Sequence, residues 1–169
     1  AAAVSIDGLE IESLWIPTEG LTLTANLGIL DANYDSYMVL DGSGNMVDKS
    51  GFDLRRAPEM TLALGALHEF ALSNGDFIVS SLNYRWKDDY CVQGNNFSAI
   101  EAHYGANPAC NESYGIIDAS ISYESDNWRL SFFGKNLGDE DYILHFLDVA
   151  SSVNATSATD ATPVYVPGL

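Results

Sequence analysis

Leu21-Thr22-Leu23-Thr24-Ala25-Asn26-Leu27-Gly28-Ile29 decides the fold class. Its larger side chains of apolar character fall on every second position. Such alternation puts one face of a strand in an apolar medium and the other in a polar one. The same period recurs elsewhere. Leu9 and Ile11 alternate with Glu10 and Glu12. Ile117, Ala119, Ile121 and Tyr123 alternate with Asp118, Ser120, Ser122 and Glu124. Trp128, Leu130 and Phe132 alternate with Arg129, Ser131 and Phe133. Helical spacing fits none of these as well.

Working outward, the pattern predicts six strands, near 5–16, 21–34, 59–71, 77–90, 114–125 and 128–137. Several exceed the usual length of about five or six residues in soluble strands. They suit the roughly 9–11 residues of a tilted bilayer crossing. The connections alternate in length. Residues 17–20, 72–76 and 125–127 are short and rich in Gly, Asn, Asp and Pro, as hairpin turns are. Residues 35–58, 91–113 and 138–163 read as long polar loops. Short turns at one end and long loops at the other describe a transmembrane barrel. Aromatic residues near the strand ends fit two interfacial girdles. They include Trp15, Phe70, Phe77, Tyr123 and Trp128 beside the short turns, and Tyr34, Tyr84, Trp86, Tyr114 and Tyr142 at the other end.

Composition sets bounds on partners and class. The chain has 169 residues, with 24 acidic and 7 basic side chains and a formal net charge of -17. No basic stripe exists to neutralise phosphates, which argues against nucleic acid as a partner. The hydrophobic fraction of 47% is too high for a disordered acidic tail. Residues 1–7 lack the basic and apolar regions of a signal peptide, so a leader removed earlier, or an internal piece of a longer chain, is expected. Cys91 and Cys110 lie in a polar stretch rich in Gly and Asn, without metal-ligand spacing. They read as a disulfide, which implies an oxidising compartment. Closing a loop of that size is worth ~3 kcal/mol in the chain-entropy model. Two independent thiols are the alternative.

The segment Gly134-Lys135-Asn136-Leu137-Gly138-Asp139-Glu140-Asp141-Tyr142 resembles a motif near the C-terminus of TonB-dependent outer-membrane receptors. That motif is Asn-Leu-x-Asp-x-x-Tyr, and Asn136, Leu137, Asp139 and Tyr142 match it. Stretches upstream are similar to the same family in the same order: 8–17, 21–34, 56–65 and 114–119. The resemblance implies an all-β, antiparallel up-and-down transmembrane barrel segment of about six strands. The whole of 1–169 would be part of one barrel domain. It implies uptake of a scarce nutrient, such as a ferric siderophore, cobalamin or a glycan, with no catalysis and no cofactor. It implies contact with outer-membrane lipid and lipopolysaccharide. An inner-membrane TonB complex would act through a plug that has no counterpart here. The family's closing strand is expected to start about where the sequence stops.

Few other chemical sites present themselves. The three histidines are scattered without ligand spacing, so no metal site is expected. Asp139-Glu140-Asp141 lacks the spacing of a calcium loop. No nucleophile elbow, phosphate-binding loop or zinc-helix motif occurs. Tyr90, Asn95, Phe97 and Tyr104 are candidates to line an extracellular ligand site, because loops on a rigid scaffold carry recognition. Two other classes stay open on sequence alone. One is a soluble secreted β-sandwich binding module stapled by Cys91 and Cys110. The other is a hydrolase using acid pairs, for which no clear pair exists.

Overall fold

A computed structural model describes residues 2–40, 43–92, 110–147 and 164–167. All regular structure among them is β. The strands are β1 (Ala2–Thr18), β2 (Leu21–Leu40), β3 (Met46–Asp48), β4 (Met60–Ala71), β5 (Phe77–Lys87), β6 (Tyr90–Cys91), β7 (Cys110–Asn111), β8 (Tyr114–Ser125), β9 (Trp128–Gly134), β10 (Ile143–Leu147) and β11 (Val164–Pro167). The main sheet runs β1-β2-β4-β5-β8-β9, each strand antiparallel to its neighbour. This is the up-and-down order that short turns require.

Register turns six separate alternations into two faces. Trp15 pairs with Leu23, Leu23 with Ala66, Ala66 with Leu82, Leu82 with Ala119 and Ala119 with Gly134. Directly paired residues share a face, so this row crosses the sheet on one side. Adjacent rows on that side carry Leu64, Tyr84 and Ile117, then Leu62 and Trp86. The opposite side carries Glu12, Asn26, Ala63 and Arg85 in one row, and Thr24, Gly65, Asn83 and Asp118 in the next. Polar side chains there bond across strands. Ser81 meets Ser120 at 2.8 Å, Ser122 meets Ser131 at 2.9 Å, and Arg129 pairs with Glu124 at 2.5 Å.

Nothing among the described residues packs on the apolar face. Leu82, Ile121 and Leu130 are about half exposed, at 53%, 50% and 51%, and Phe132 is 67% exposed. A β-sandwich would have enclosed them between two layers, so the sandwich reading is not favoured. Among the described residues the buried side chains are Cys91, Val92, Asn111, Tyr114 and Ile116, all at the long-loop end.

The predicted strand limits need correction. β1 and β2 run on past the apolar band to Ala2 and Leu40. Beyond the predicted limits Ala2 pairs with Tyr37 and Ala3 with Ser36, and β3 adds to β2 at Met38–Leu40. β9 stops at Gly134 rather than 137. β6 and β7 form a short ladder at the two ends of the second predicted loop, and β10, inside the third, pairs with β11 just beyond it. The girdle also needs correction. Phe77 pairs with Glu124, Tyr114 with Lys87, and Tyr34 with Val4 in the parity of the Glu12–Asn26 row, so all three lie on the polar face.

The short turns are built by backbone chemistry. Gly20 has φ of 78°, and Glu69 donates its amide to the Gly20 carbonyl at 2.8 Å. A side chain at Gly20 would collide with the Glu69 carbonyl. Gly20→Ala is therefore expected to lower unfolding free energy by ~1–3 kcal/mol, measured by denaturant unfolding of the chain in detergent.

Candidate functional site

The alternation that builds the sheet also delivers charge to one place. Arg85 and Lys87 are two apart on β5, so both face the polar side. Asp118 on β8 accepts from Arg85 at 2.5 Å and from the Asn136 amide at 2.9 Å. One carboxylate thus fixes a cation and the turn after β9. Arg85, Lys87, Lys135, Tyr90, Tyr114 and Tyr142 line a recess of about 460 Å³ at the long-loop end.

The tyrosines form a connected group. Tyr114 and Tyr142 stack with centroids 4.7 Å apart and planes 9° apart. The Tyr90 and Tyr114 hydroxyls are 3.1 Å apart. The Lys87 ammonium lies 5.9 Å from the Tyr90 ring centroid, within cation–π range.

The motif residues have identifiable structural tasks. Asn136 has φ of 49° and Asp139 has φ of 53°, the left-handed region that Asn and Asp tolerate best. The Asn136 side chain donates to the Glu140 carbonyl and accepts from the Glu140 amide, both at 3.0 Å. The Asp139 amide donates to the Asn136 carbonyl at 2.9 Å. Leu137 donates its amide to the Ile117 carbonyl at 2.8 Å, and a side chain at Gly134 would meet the Leu137 side chain. This folded turn sends the chain back so that Tyr142 reaches Tyr114.

Behind the recess, Cys91 and Cys110 are joined as a disulfide, as the sequence predicts. Asn111 is 6% exposed and replaces a strand partner. Its side chain accepts from the Ile143 amide at 2.6 Å and donates to the Ile143 carbonyl at 3.0 Å. Arg56 donates its amide to the Cys91 carbonyl at 2.8 Å and its guanidinium to the Leu144 carbonyl at 3.2 Å.

Of the candidate ligand-loop residues, Tyr90 reaches the recess. Asn95, Phe97 and Tyr104 lie outside the described residues. Sequence reasoning missed Arg85, Lys87 and Lys135. The spacing of Arg85 and Lys87 was a usable signal in so acidic a chain. Lys135 had none, because its proximity depends on the turn at Asn136. No group of three or more His, Cys, Asp or Glu that could hold a metal occurs among the described residues.

At the opposite end, the turn between β4 and β5 holds Asp76. The Tyr123 hydroxyl donates to its carboxylate, and Asn74 donates at 2.6 Å. The Tyr123 hydroxyl, then that of Ser125, hold this carboxyl below the usual carboxylate range. Ser50 does the same for Asp48, mainly through its backbone amide at 2.9 Å.

The fold has a solved counterpart. The chain is similar to the crystal structure of the ferric yersiniabactin uptake receptor FyuA from Yersinia pestis, with a TM-score of 0.68 and 16% sequence identity. The match covers 99% of this chain and 22% of that one, so this chain spans about a fifth of the receptor's length. At that identity the likeness is one of fold. No family model matches the chain.

Two outcomes follow from these bonds. Asn136→Ala removes both Glu140 bonds and the residue best suited to positive φ. It is expected to cost ~1–3 kcal/mol in denaturant unfolding. Asp76 releases its proton more readily when folded, so its stabilisation is complete above about pH 4 and is lost as pH falls through the lower folded value. Asp76→Asn should flatten that acid limb in unfolding curves measured as a function of pH.

Proposed function

We propose that this chain is a segment of the wall of an outer-membrane β-barrel receptor of the TonB-dependent kind, taking up a scarce nutrient. The observation that carries the reading is the uncovered apolar face, one band of side chains running unbroken across six paired strands. A patch of this extent requires a cover, and hydrocarbon is the cover that asks for no shape complementarity. The band from Leu21 to Ile29 on β2 has the length of a tilted crossing, about nine residues. Asp7 and Asp31 pair just beyond it, where water and headgroups begin. Trp15, Tyr123 and Trp128 lie toward one edge of that face and Trp86 toward the other, as interfacial aromatics would. The fold likeness to an uptake receptor supports the same reading.

On this reading residues 1–169 belong to one barrel domain completed by other strands. The polar face lines the lumen, and the long loops face outward beside lipopolysaccharide. The nutrient, in the first instance a ferric siderophore, cobalamin or a glycan, enters past the recess. Energy comes from an inner-membrane TonB complex acting on a plug. The chain's part is wall and recognition surface, not covalent chemistry.

Arginine scanning separates the two faces. Leu82→Arg lies at mid-band and is expected to cost ~2–4 kcal/mol of stability in bilayers. Ser131→Arg, on the polar face, should cost little. Both are measured by denaturant unfolding in lipid vesicles. Equal effects at the two positions, or a chain that stays monomeric and folded without detergent or lipid, would refute the reading.

A further inference from the structure

We infer that the recess at the long-loop end of the polar face binds an anionic small molecule, its negative group between Arg85, Lys87 and Lys135 and its planar part against Tyr142. The inference deepens the receptor reading, which supplies the side from which ligand arrives.

The charge balance of the recess is the reverse of the chain's. Three of the 7 basic residues line it, in a sequence with 24 acids. Asp118 is the carboxylate in the lining; it is engaged by Arg85 and the Asn136 amide and also attracts Lys135, so the lining sets three cations against one anion. Among the described residues, neither Lys87 nor Lys135 forms an ion pair with a carboxylate. Asp118 offsets one of the three positive charges, and the others repel unless a further negative group joins them. A bound anion supplies that group. Its hydrogen bonds to guanidinium and ammonium are of the stronger, charge-assisted kind.

The neighbouring groove gives the field a direction. Glu10 and Glu12 on β1 line its far side, while Arg85 and Lys87 line the near side. Between them lie short side chains, Asn26, Thr61 and Ala63 among them. An anion moving along the polar face is repelled at β1 and attracted at β5. A cation meets the opposite field and is excluded from the recess. The tyrosines add a second requirement. Their rings present flat, amphipathic surface held in place by stacking and by the Tyr90–Tyr114 contact. Flat unsaturated groups suit such surface.

The test uses the full chain in detergent micelles and three probes of one shape: benzoate, benzyl alcohol and benzylamine. Binding is read by ligand-detected NMR. Benzoate should bind ~10-fold or more tightly than benzyl alcohol, as charge-assisted contacts require, and benzylamine should not bind. Lys87→Gln with Lys135→Gln should abolish the preference for benzoate. Lys87→Arg with Lys135→Arg should keep it. The lysine pair is chosen because Arg85→Gln would also strip Asp118 of its partner and disturb the Asn136 turn. Equal binding of benzoate and benzyl alcohol, no binding of any probe, or an unchanged preference in the double glutamine variant would overturn the proposal. Solubility of the same samples is recorded without detergent. A chain that needs detergent but shows no charge preference sinks the recess alone. A water-soluble chain that still prefers benzoate sinks the barrel reading alone.

Discussion

The hydrogen-bond ladder between β1, β2, β4, β5, β8 and β9 is the constraint from which the rest follows. Strands in register share faces, so each local alternation adds to the same two surfaces. A slip of one residue between β4 and β5 would move Leu82 to the polar side and Ser81 to the apolar side. Between β1 and β9 the ladder also satisfies the backbone amides and carbonyls that face a neighbouring strand, as the hydrocarbon setting of the proposed barrel would demand, because hydrocarbon offers no alternative partners. The two requirements coincide: pairing makes the strands tolerable in an apolar medium, and register decides which side chains meet it.

The long strands and short turns were legible because both come from short-range pattern. Leu21 to Ile29 announces its period within nine residues, and Ser73-Asn74-Gly75-Asp76 announces a turn by composition. What was not legible is β-structure without apolar alternation. Asp35-Ser36-Tyr37 continues β2 past its expected end at Tyr34 without an apolar face, so its hydropathy does not differ from that of a loop. β6 and β7 are two residues each and owe their pairing to the Cys91–Cys110 link. β10 begins Ile143-Leu144, an apolar run without alternation, which periodicity cannot assign.

The candidate site was legible only in part, and the split has a physical cause. Asn136 and Tyr142 were marked by resemblance, and their geometry explains why those residue types serve: one tolerates positive φ and bonds both polar groups of Glu140, the other stacks. The basic residues were not marked. Arg85 and Lys135 are 50 positions apart, and their shared recess depends on the β5–β8 register together with the Asn136 turn. No local pattern encodes such a meeting. Aromatic position misled for a related reason. Tyr114 stands at a strand end, where a girdle is expected, but its register places it opposite Lys87 on the polar side.

The disulfide joins this picture as a fixing point rather than as chemistry. Three connections meet beside it. Arg56, from the segment between β3 and β4, bonds the Cys91 carbonyl and reaches Leu144 at β10. Asn111, next to Cys110, pairs with both backbone groups of Ile143. Each such bond contributes only about 1 kcal/mol net, and a buried Asn left without them would cost more. The covalent link holds Cys91 and Cys110 together, so the Tyr90–Asn111 pairing next to it costs little further chain entropy. Tyr90 precedes Cys91, and Tyr142 precedes the Ile143 that Asn111 grips. The same three contacts that tie the connections together therefore set the two rings, Tyr90 and Tyr142, that flank Tyr114, so the shape of the recess is governed by residues that do not line it.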